Sequence, residues 1–412
     1  MKVNQKQLNS LAVSLLLSTD ALCYTLPALG IGTFYRVMYL VETGALLIVL
    51  IGFIIRKQWK ISMAHRQFSI AYFLWICFIY ATSCFRVPDY SYALDSFVYC
   101  FAIGVFIIGL NFDTRTVLTL MTVMSVLILP AYSRLFAYQW ESLNQANMGT
   151  VYAILIWTVA GLCHFIYYRD SWGKVCHLFY VPSIVGLFGI IQFANRGAAL
   201  SLITFLLVVA FNRNVTLEEF KGGDILKKKI AIVIAAIIGY IVILNFNSLF
   251  TSLYNFLNGI LDNMPSFFVK MNKMIALNDI SNGREPVYEA AFAGIRNNPI
   301  FGNGIESFPS YTAYSYPHNF VLQLIYEGGI LFCVVPIITI LWVCYRLFFS
   351  QIQNKDKLVF LILLFVQVIP RFLVSATIWK DRFLWLMIFY VFYNYKEIGD
   401  GINGSYQGSG IK

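Results

Sequence analysis

Long apolar runs separated by short polar stretches dominate the hydrophobic pattern of this chain. Several runs extend over about 20 residues, the length that an α-helix needs to cross roughly 30 Å of hydrocarbon. Twelve runs are candidate spans, near residues 8–30, 36–55, 68–85, 93–111, 115–131, 149–168, 178–195, 197–212, 230–249, 319–345, 358–376 and 383–394. The pattern predicts an all-α membrane protein with about twelve transmembrane helices.

One polar interruption is much longer than the others and lies between the ninth and tenth runs, at residues 250–317. Long loops are often functional, and this one contains helical patterns, including "REPVYEAAFAGIR" before the breaker-rich turn "NNPIFGNG". We expect a small extracytoplasmic loop domain of two or three short helices lying on the membrane. Residues 1–395 then form one polytopic membrane domain that includes this loop, and residues 396–412 form a polar cytoplasmic tail predicted to be disordered.

Composition and charge agree with a membrane protein. Apolar residues make up 59% of the chain and charged residues 12%, whereas soluble domains are about a quarter charged. If the N-terminus is cytoplasmic, 19 Lys and Arg residues face inward and 10 face outward, which is the asymmetry expected of an integral membrane protein. The net charge of +10 therefore mostly orients the chain, and no nucleic acid partner is expected.

The eight cysteines form no CxxC pair, and most lie inside the predicted spans, as is typical of buried apolar cysteine. The dipeptides Cys163–His164 and Cys176–His177 flank one short loop and could together ligate zinc. Adjacent residues on a helix point in different directions, however, so tetrahedral geometry is hard to reach. No metal or other cofactor is expected.

Charged residues inside predicted spans are costly, and each is a candidate functional residue. They are Asp20, Glu42, Asp95, Arg196, Glu327 and Arg371. Arg196 lies in "NRGAALSL" at the outer end of a helical hairpin, Arg284 lies in the long loop, and Arg382 follows "TIWKD" in the last outer loop. Arginine binds phosphate oxygens in a bidentate way; the alternative is that these arginines contact lipid headgroups.

The stretch "SYPHNFVLQLIYEGG" places one of only four histidines where a polar segment becomes apolar. Pro317 suits a first helical turn and Ser315 could cap it, which puts His318 and Asn319 at the outer N-terminus of the tenth span. The helix dipole there favours a neutral imidazole and a bound anion. His318 is therefore a candidate general base; the alternative is an interfacial histidine that only hydrogen-bonds a carbonyl.

Glu327 lies within the same span and needs a proton or a partner at that depth. The following pair, Gly328–Gly329, permits close approach of another helix. The first interpretation of these residues is structural. The second is that Glu327 orients an arginine or His318.

The ordered set of motifs between residues 281 and 329 resembles the signature of the O-antigen polymerase and O-antigen ligase superfamily of polytopic membrane glycosyltransferases. The matching motifs are Gly283–Arg284, the amphipathic helix to Ile295, Pro299–Gly304, His318–Asn319 and Glu327–Gly328. The hairpin that carries Arg196 also fits this family. Each short motif is weak alone, and their order is what carries the resemblance.

The resemblance implies a metal-independent glycosyltransferase at the outer face of the bacterial cytoplasmic membrane. Its donor is an oligosaccharide on undecaprenyl pyrophosphate, and its acceptor is a lipid-linked glycan or the lipid A core. Membrane lipids and a chain-length regulator are further partners. By the same resemblance the catalytic residues are His318, Arg284 and Arg196, and Asn319 binds substrate. Arg371, Arg382 and Glu327 are further substrate-binding candidates, and no local motif anchors the two arginines.

Four functions remain open at this stage. The outer loop is only modestly basic, which favours an O-antigen or capsule polymerase over a ligase that must accommodate a phosphorylated core. A flippase for lipid-linked oligosaccharides would show internal repeats and a binding site near the membrane midplane, and no repeat is visible. A scaffold or chain-length regulator has no need of a histidine beside arginines.

Overall fold

The computed structural model describes residues 4–56, 70, 73–74, 77, 103–104, 106–140, 146–168, 180–192, 196–211, 246–261, 264, 266–276, 284–349, 354–374, 379 and 381–393. Every regular element in these ranges is helical, which confirms the predicted all-α class for this part of the chain. Most of the predicted spans 68–85, 93–111 and 230–249, and the whole tail 396–412, lie outside the described residues.

The helices of the described residues, in chain order, are α1 (Gln5–Ala28), α2 (Phe34–Arg56), α3 (Thr114–Leu127), α4 (Leu129–Trp140), α5 (Ala146–Tyr168), α6 (Tyr180–Gln192), α7 (Arg196–Phe211), α8 (Phe246–Asn258), α9 (Ser266–Ala276), α10 (Glu285–Asn297), α11 (Phe308–Tyr311), α12 (Phe320–Phe349), α13 (Lys355–Val374) and α14 (Arg382–Tyr393). In this part of the chain, four helical segments are long and apolar enough to cross a membrane: Gln5–Ala28, Phe34–Ile51, Gly149–Tyr168 and Phe320–Phe348. Shorter apolar helices accompany them. The count of about twelve spans stays a prediction.

Helix α13 lies at the centre of the described bundle. Its residues 358–368 are all buried, and it packs against α3, α5, α7, α12 and α14. Helices α1 and α5 are also tied together, because the Trp157 indole N–H donates to Ser18 Oγ at 2.8 Å. Hydroxyl side chains within α1 bond to carbonyls one turn earlier, as Thr25 does to Ala21. Such local pairing satisfies polar groups where no water is present.

Helix α12 is interrupted at Gly329, where φ is 66° and ψ is −169°. This backbone conformation is essentially restricted to glycine. The break divides α12 into an outer part, Phe320–Gly328, and an inner part, Ile330–Phe349. Around the break, backbone groups that a regular helix would pair internally need other partners.

Those partners come from the turn Pro299–Gly304, which docks on α12 through backbone hydrogen bonds. The bonds run from Asn303 N to Tyr326 O at 2.7 Å, from Gly304 N to Glu327 O at 2.8 Å, and from Ile330 N to Pro299 O at 2.9 Å. The turn and the broken helix therefore complete each other's hydrogen bonding. We call this contact the turn–helix interlock.

Two glycines make the turn–helix interlock sterically possible. A Cβ at Gly302, whose φ is 68°, would lie 2.4 Å from the carbonyl carbon of Glu327. A Cβ at Gly329 would lie 2.1 Å from the carbonyl oxygen of Ile300. Gly328–Gly329 were predicted to admit a neighbouring helix. The element that approaches Gly329 is the turn instead.

Helix α10 runs beside the outer part of α12. Val287 and Ala291 are buried against Tyr326 and Phe308, in a small apolar cluster separate from the main core. The described residues of the long loop contain four helices, α8 to α11, where two or three were predicted, and α10 ends at Asn297 as the breakers indicated. The turn–helix interlock thus fixes one end of α10 against α12.

We expect Gly329→Ala to destabilise the protein by at least about 2 kcal/mol, because the new Cβ meets the turn backbone and φ is positive. Gly44→Ala is the matched control, since a Cβ at that helical glycine has nothing within 4 Å and alanine is the better helix former. Thermal unfolding in detergent measures both. Equal melting temperatures for Gly329→Ala and the unmodified protein would show that the interlock is not required.

Candidate active site

Asn319 caps α12 and joins it to α13. Its Oδ1 accepts from the backbone N–H of Val321 at 3.0 Å and of Leu322 at 3.2 Å, and its Nδ2 donates to Leu373 O at 3.3 Å. The prediction that Ser315 caps this helix is wrong, because the helix begins only at Phe320. His318 therefore lies at the N-terminal end of α12, as predicted. It precedes the capping residue and is not part of the first helical turn.

His318 is held in a left-handed backbone conformation, with φ of 55°. For a residue other than glycine this conformation is uncommon and costs free energy. Its ring packs against Tyr316 with centroids 4.1 Å apart. The buried Nδ1 has no hydrogen-bond partner among the described residues. The imidazole is thus positioned by its backbone and by Tyr316, with one nitrogen unused.

The pKa of His318 is lowered from 6.5 to about 4, firstly because the ring is buried and secondly because the Arg284 guanidinium is nearby. The imidazole is consequently neutral at physiological pH. A neutral imidazole can accept a proton, which is the requirement for a general base.

Arg284 occupies the position before α10 and makes no side-chain cap hydrogen bond there. Its carbonyl accepts from Tyr288 N at 3.0 Å, and Pro286 lies in the first turn, as predicted. The structure therefore brings the starts of α10 and α12 together, so that Arg284 acts electrostatically on His318. The sequence indicated both residues but not their proximity.

Glu327 is fully buried and bound by neutral donors. Its Oε1 accepts from Gln323 Nε2 at 2.8 Å, and its Oε2 accepts from Trp379 Nε1 at 2.6 Å. Its backbone carbonyl belongs to the turn–helix interlock. These contacts favour the structural interpretation, in which Glu327 connects α12 to the segment before α14. A role in substrate binding stays a prediction.

Arg371 and Arg382 are each paired with carboxylates. Arg371 Nη1 lies 3.0 Å from Asp381 Oδ2, and its guanidinium lies 4.8 Å above the Tyr152 ring. Arg382 bonds to Asp20 and, at 3.1 Å, to Glu42. Asp381 also caps α14 by accepting from Phe383 N at 2.9 Å.

This group of two arginines and three carboxylates ties α1 and α2 to α13 and α14. Because the arginines are already paired, a phosphate would have to displace a carboxylate to bind them. Their predicted role in substrate binding stays untested, and their contacts indicate a structural one. Sequence reasoning missed Asp381, and it singled out Asp20 and Glu42 without their partners.

Arg196 is the first residue of α7, which agrees with its predicted position at a helix end. Asp95 and the pair Cys176–His177 lie outside the described residues. Cys163 and His164 lie buried on α5. In the ranges that the structure describes, no group of three or more His, Cys, Asp or Glu side chains is placed to hold a metal ion.

Comparison with protein families gives one match. Residues 181–337 match the family model of O-antigen ligase. The resemblance predicted from the motifs is thereby confirmed. The O-antigen ligase match covers less than half of the chain, but it includes Arg196, Arg284, His318, Asn319 and Glu327. No curated protein and no solved structure matches the chain.

The boundaries of the O-antigen ligase match separate two sets of charged residues. Arg284 and His318 lie inside it, whereas Arg371 and Arg382 follow its last residue. The match and the apolar helices together indicate a multi-pass membrane protein that takes part in glycan transfer. The candidate active site is therefore the pair His318 and Arg284, with Asn319 fixing the helix start.

We expect Arg382→Ala to destabilise the protein by about 3–5 kcal/mol, because Asp20 and Glu42 lose the cation that compensates them. Arg36→Ala on the exposed side of α2 is the control and should change stability by less than about 0.5 kcal/mol. Thermal unfolding in detergent compares them. Similar melting temperatures for the two variants would contradict a structural role.

The low pKa of His318 predicts a pH profile. If His318 is the base, kcat/KM should stay constant from pH 7 to about pH 5 and fall as the pH drops through about 4. Arg284→Gln removes the smaller cause of the shift, so the residual activity should fall at a somewhat higher pH, still below 6.5. A midpoint at 6.5 in the unmodified enzyme would refute this environment for His318.

Proposed function

We propose that this protein is an O-antigen or capsule polymerase. It transfers an undecaprenyl-pyrophosphate-linked oligosaccharide onto a lipid-linked repeat unit at the outer face of the bacterial cytoplasmic membrane. The observation that carries the proposal is the neutral His318 beside Arg284, at the start of α12, within the segment that matches O-antigen ligase.

The proposed reaction uses these residues in separate roles. His318 takes the proton from an acceptor hydroxyl as its oxygen attacks the anomeric carbon of the donor. The bond from that carbon to the pyrophosphate breaks, and the electron pair leaves with the phosphate oxygen. Arg284, together with Arg196, binds the pyrophosphate and stabilises its developing charge. A good leaving group that is stabilised by guanidinium groups needs no metal ion.

The packing of α12 supports a site just above the hydrocarbon layer. The inner part, Ile330–Phe349, would extend about 30 Å as a helix, which is the thickness of that layer. Its exposed apolar side chains begin at Ile330 and Leu331, at the level of the exposed Ile300 and Phe301. On this proposal the outer part of α12, with His318 before it, lies above the hydrocarbon layer, on the side from which a lipid-linked pyrophosphate is accessible.

The charge of the outer loop favours a polymerase. Residues 250–317 contain four basic residues, Lys270, Lys273, Arg284 and Arg296, and five acidic residues, Asp262, Asp279, Glu285, Glu289 and Glu306. This balance offers little attraction to a lipid A core that carries several phosphates. A ligase is the second candidate because the matching family model carries that description. A flippase is less well supported, since its binding site would lie near the midplane.

The test is complementation of a deletion strain with His318→Ala and His318→Asn, followed by gel analysis of surface polysaccharide. Both variants should reduce chain extension by about 100-fold or more, which is the usual contribution of a general base. Asparagine tolerates the left-handed backbone, so His318→Asn separates loss of the base from loss of the fold. Membrane levels of the variants must match.

The products of the deletion strain distinguish the candidate functions. Single repeat units on the lipid core indicate a polymerase. A bare core with accumulated lipid-linked long chains indicates a ligase. If lipid-linked units remain on the inner face, the protein is a flippase. Normal chains made by His318→Asn would disprove the catalytic role of His318.

A further inference from the structure

An uncharged cleft of about 660 Å³ lies between α10, α11 and α12, apart from the pair His318 and Arg284. Its walls come from the second half of α10, the turn–helix interlock and the end of α11. The lining residues are Ala290, Ala293, Gly294, Asn297, Asn298, Asn303, Tyr311, Thr312 and Tyr326. Its volume is within the range of small-molecule binding sites.

The chemistry of the lining fits sugar hydroxyls and not phosphate. None of the lining residues is an Asp, Glu, Lys, Arg or His. Three are asparagines, whose amides both donate and accept hydrogen bonds, as a hydroxyl ligand requires. The small residues Ala290, Ala293 and Gly294 form one wall, and Gly294 lies directly against the Tyr326 ring.

One of the three asparagines, Asn303, stabilises the wall of the cleft, and the other two, Asn297 and Asn298, face into it. Asn303 uses its whole amide, because Nδ2 donates to Gly294 O at 3.0 Å and Tyr326 O at 3.1 Å while Oδ1 accepts from Asn298 Nδ2 at 2.7 Å. Among the described residues, no hydrogen bond is made by the Asn297 side chain or by the Asn298 side-chain oxygen. These groups remain available to a ligand.

The cleft lies along the path from the candidate active site. Helix α10 is 13 residues long, or about 20 Å, and runs from Arg284 to the cleft. Tyr311 and Thr312 belong to the same returning segment that carries His318. The cleft lies at the membrane side of α10 and Arg284 at its other end, so a glycan whose pyrophosphate end lies at Arg284 reaches the cleft by lying back along α10.

We infer that this cleft is a glycan subsite, which binds the sugar units of the substrate through their hydroxyls. The inference rests on the proposed function for the identity of the glycan. Recognition is thereby divided: Arg284 binds the phosphate end, and uncharged amides bind the sugars. Because the cleft has no charged lining residue, its affinity for the glycan should not depend on salt.

The test uses the full-length protein in lipid nanodiscs. The probe is the oligosaccharide repeat unit released from its lipid carrier, and calorimetry measures its binding. Ala293→Trp fills the cleft and should weaken binding at least 10-fold. Asn297→Ala removes one hydrogen-bonding group and should weaken it about 3- to 10-fold. Arg296→Trp, exposed on another side of α10, is the control and should bind normally.

Further measurements test this inference separately from the proposed function. His318→Asn should bind the oligosaccharide normally even though transfer is lost, and inorganic pyrophosphate should not compete. Normal transfer by His318→Asn would refute the base and leave the glycan subsite standing. No binding by the unmodified protein, or equal binding by Ala293→Trp, would overturn the subsite. If Ala293→Trp does not fold, Asn297→Ala decides, and unchanged affinity in that variant refutes it.

Discussion

The turn–helix interlock is the contact on which the rest of the outer region depends. A helix inside a membrane protein cannot leave backbone groups unpaired, because water is not available to satisfy them. The break at Gly329 is tolerated since Asn303 and Gly304 bond to the exposed carbonyls and Pro299 accepts from Ile330. The same bonds fix the end of α10 and, through this helix, the position of Arg284 relative to His318. Glycine is needed at residues 302 and 329 for steric reasons. A larger side chain at either position would disturb the fold directly and the chemistry only as a consequence.

Positive charge is used in two different ways. Arg371 and Arg382 are compensated by Asp381, Asp20 and Glu42, and these pairs hold four helices together. Arg284 instead lowers the pKa of a histidine that is already disfavoured as a cation by burial. Guanidinium groups that already bind carboxylates are poor candidates for binding pyrophosphate. The proposed chemistry is therefore concentrated on residues 284–319.

The proposed site assigns each part of a lipid-linked glycan to a surface of matching chemistry. The exposed apolar side chains of the inner part of α12 face lipid, the guanidinium of Arg284 faces phosphate, and the amides of the cleft face sugar hydroxyls. Along α10 and α12 the order from the membrane outward is the apolar side chains, then the cleft, then Arg284. A turn that carries Ile300 and Phe301 at the lipid boundary would keep this sequence of surfaces at a fixed depth.

The sequence by itself determined the helical class, the positions of most described helices, and the bounds of α10, because apolar run length, proline and glycine act locally. It also indicated His318 and Arg284, since their motifs are short and contiguous. Only the tertiary structure decided that Arg382 pairs with Asp20 and Glu42, that Asn319 and not Ser315 caps α12, and that Gly329 receives a turn and not a helix. These features depend on contacts between distant segments, and side-chain periodicity carries no information about which distant groups will meet.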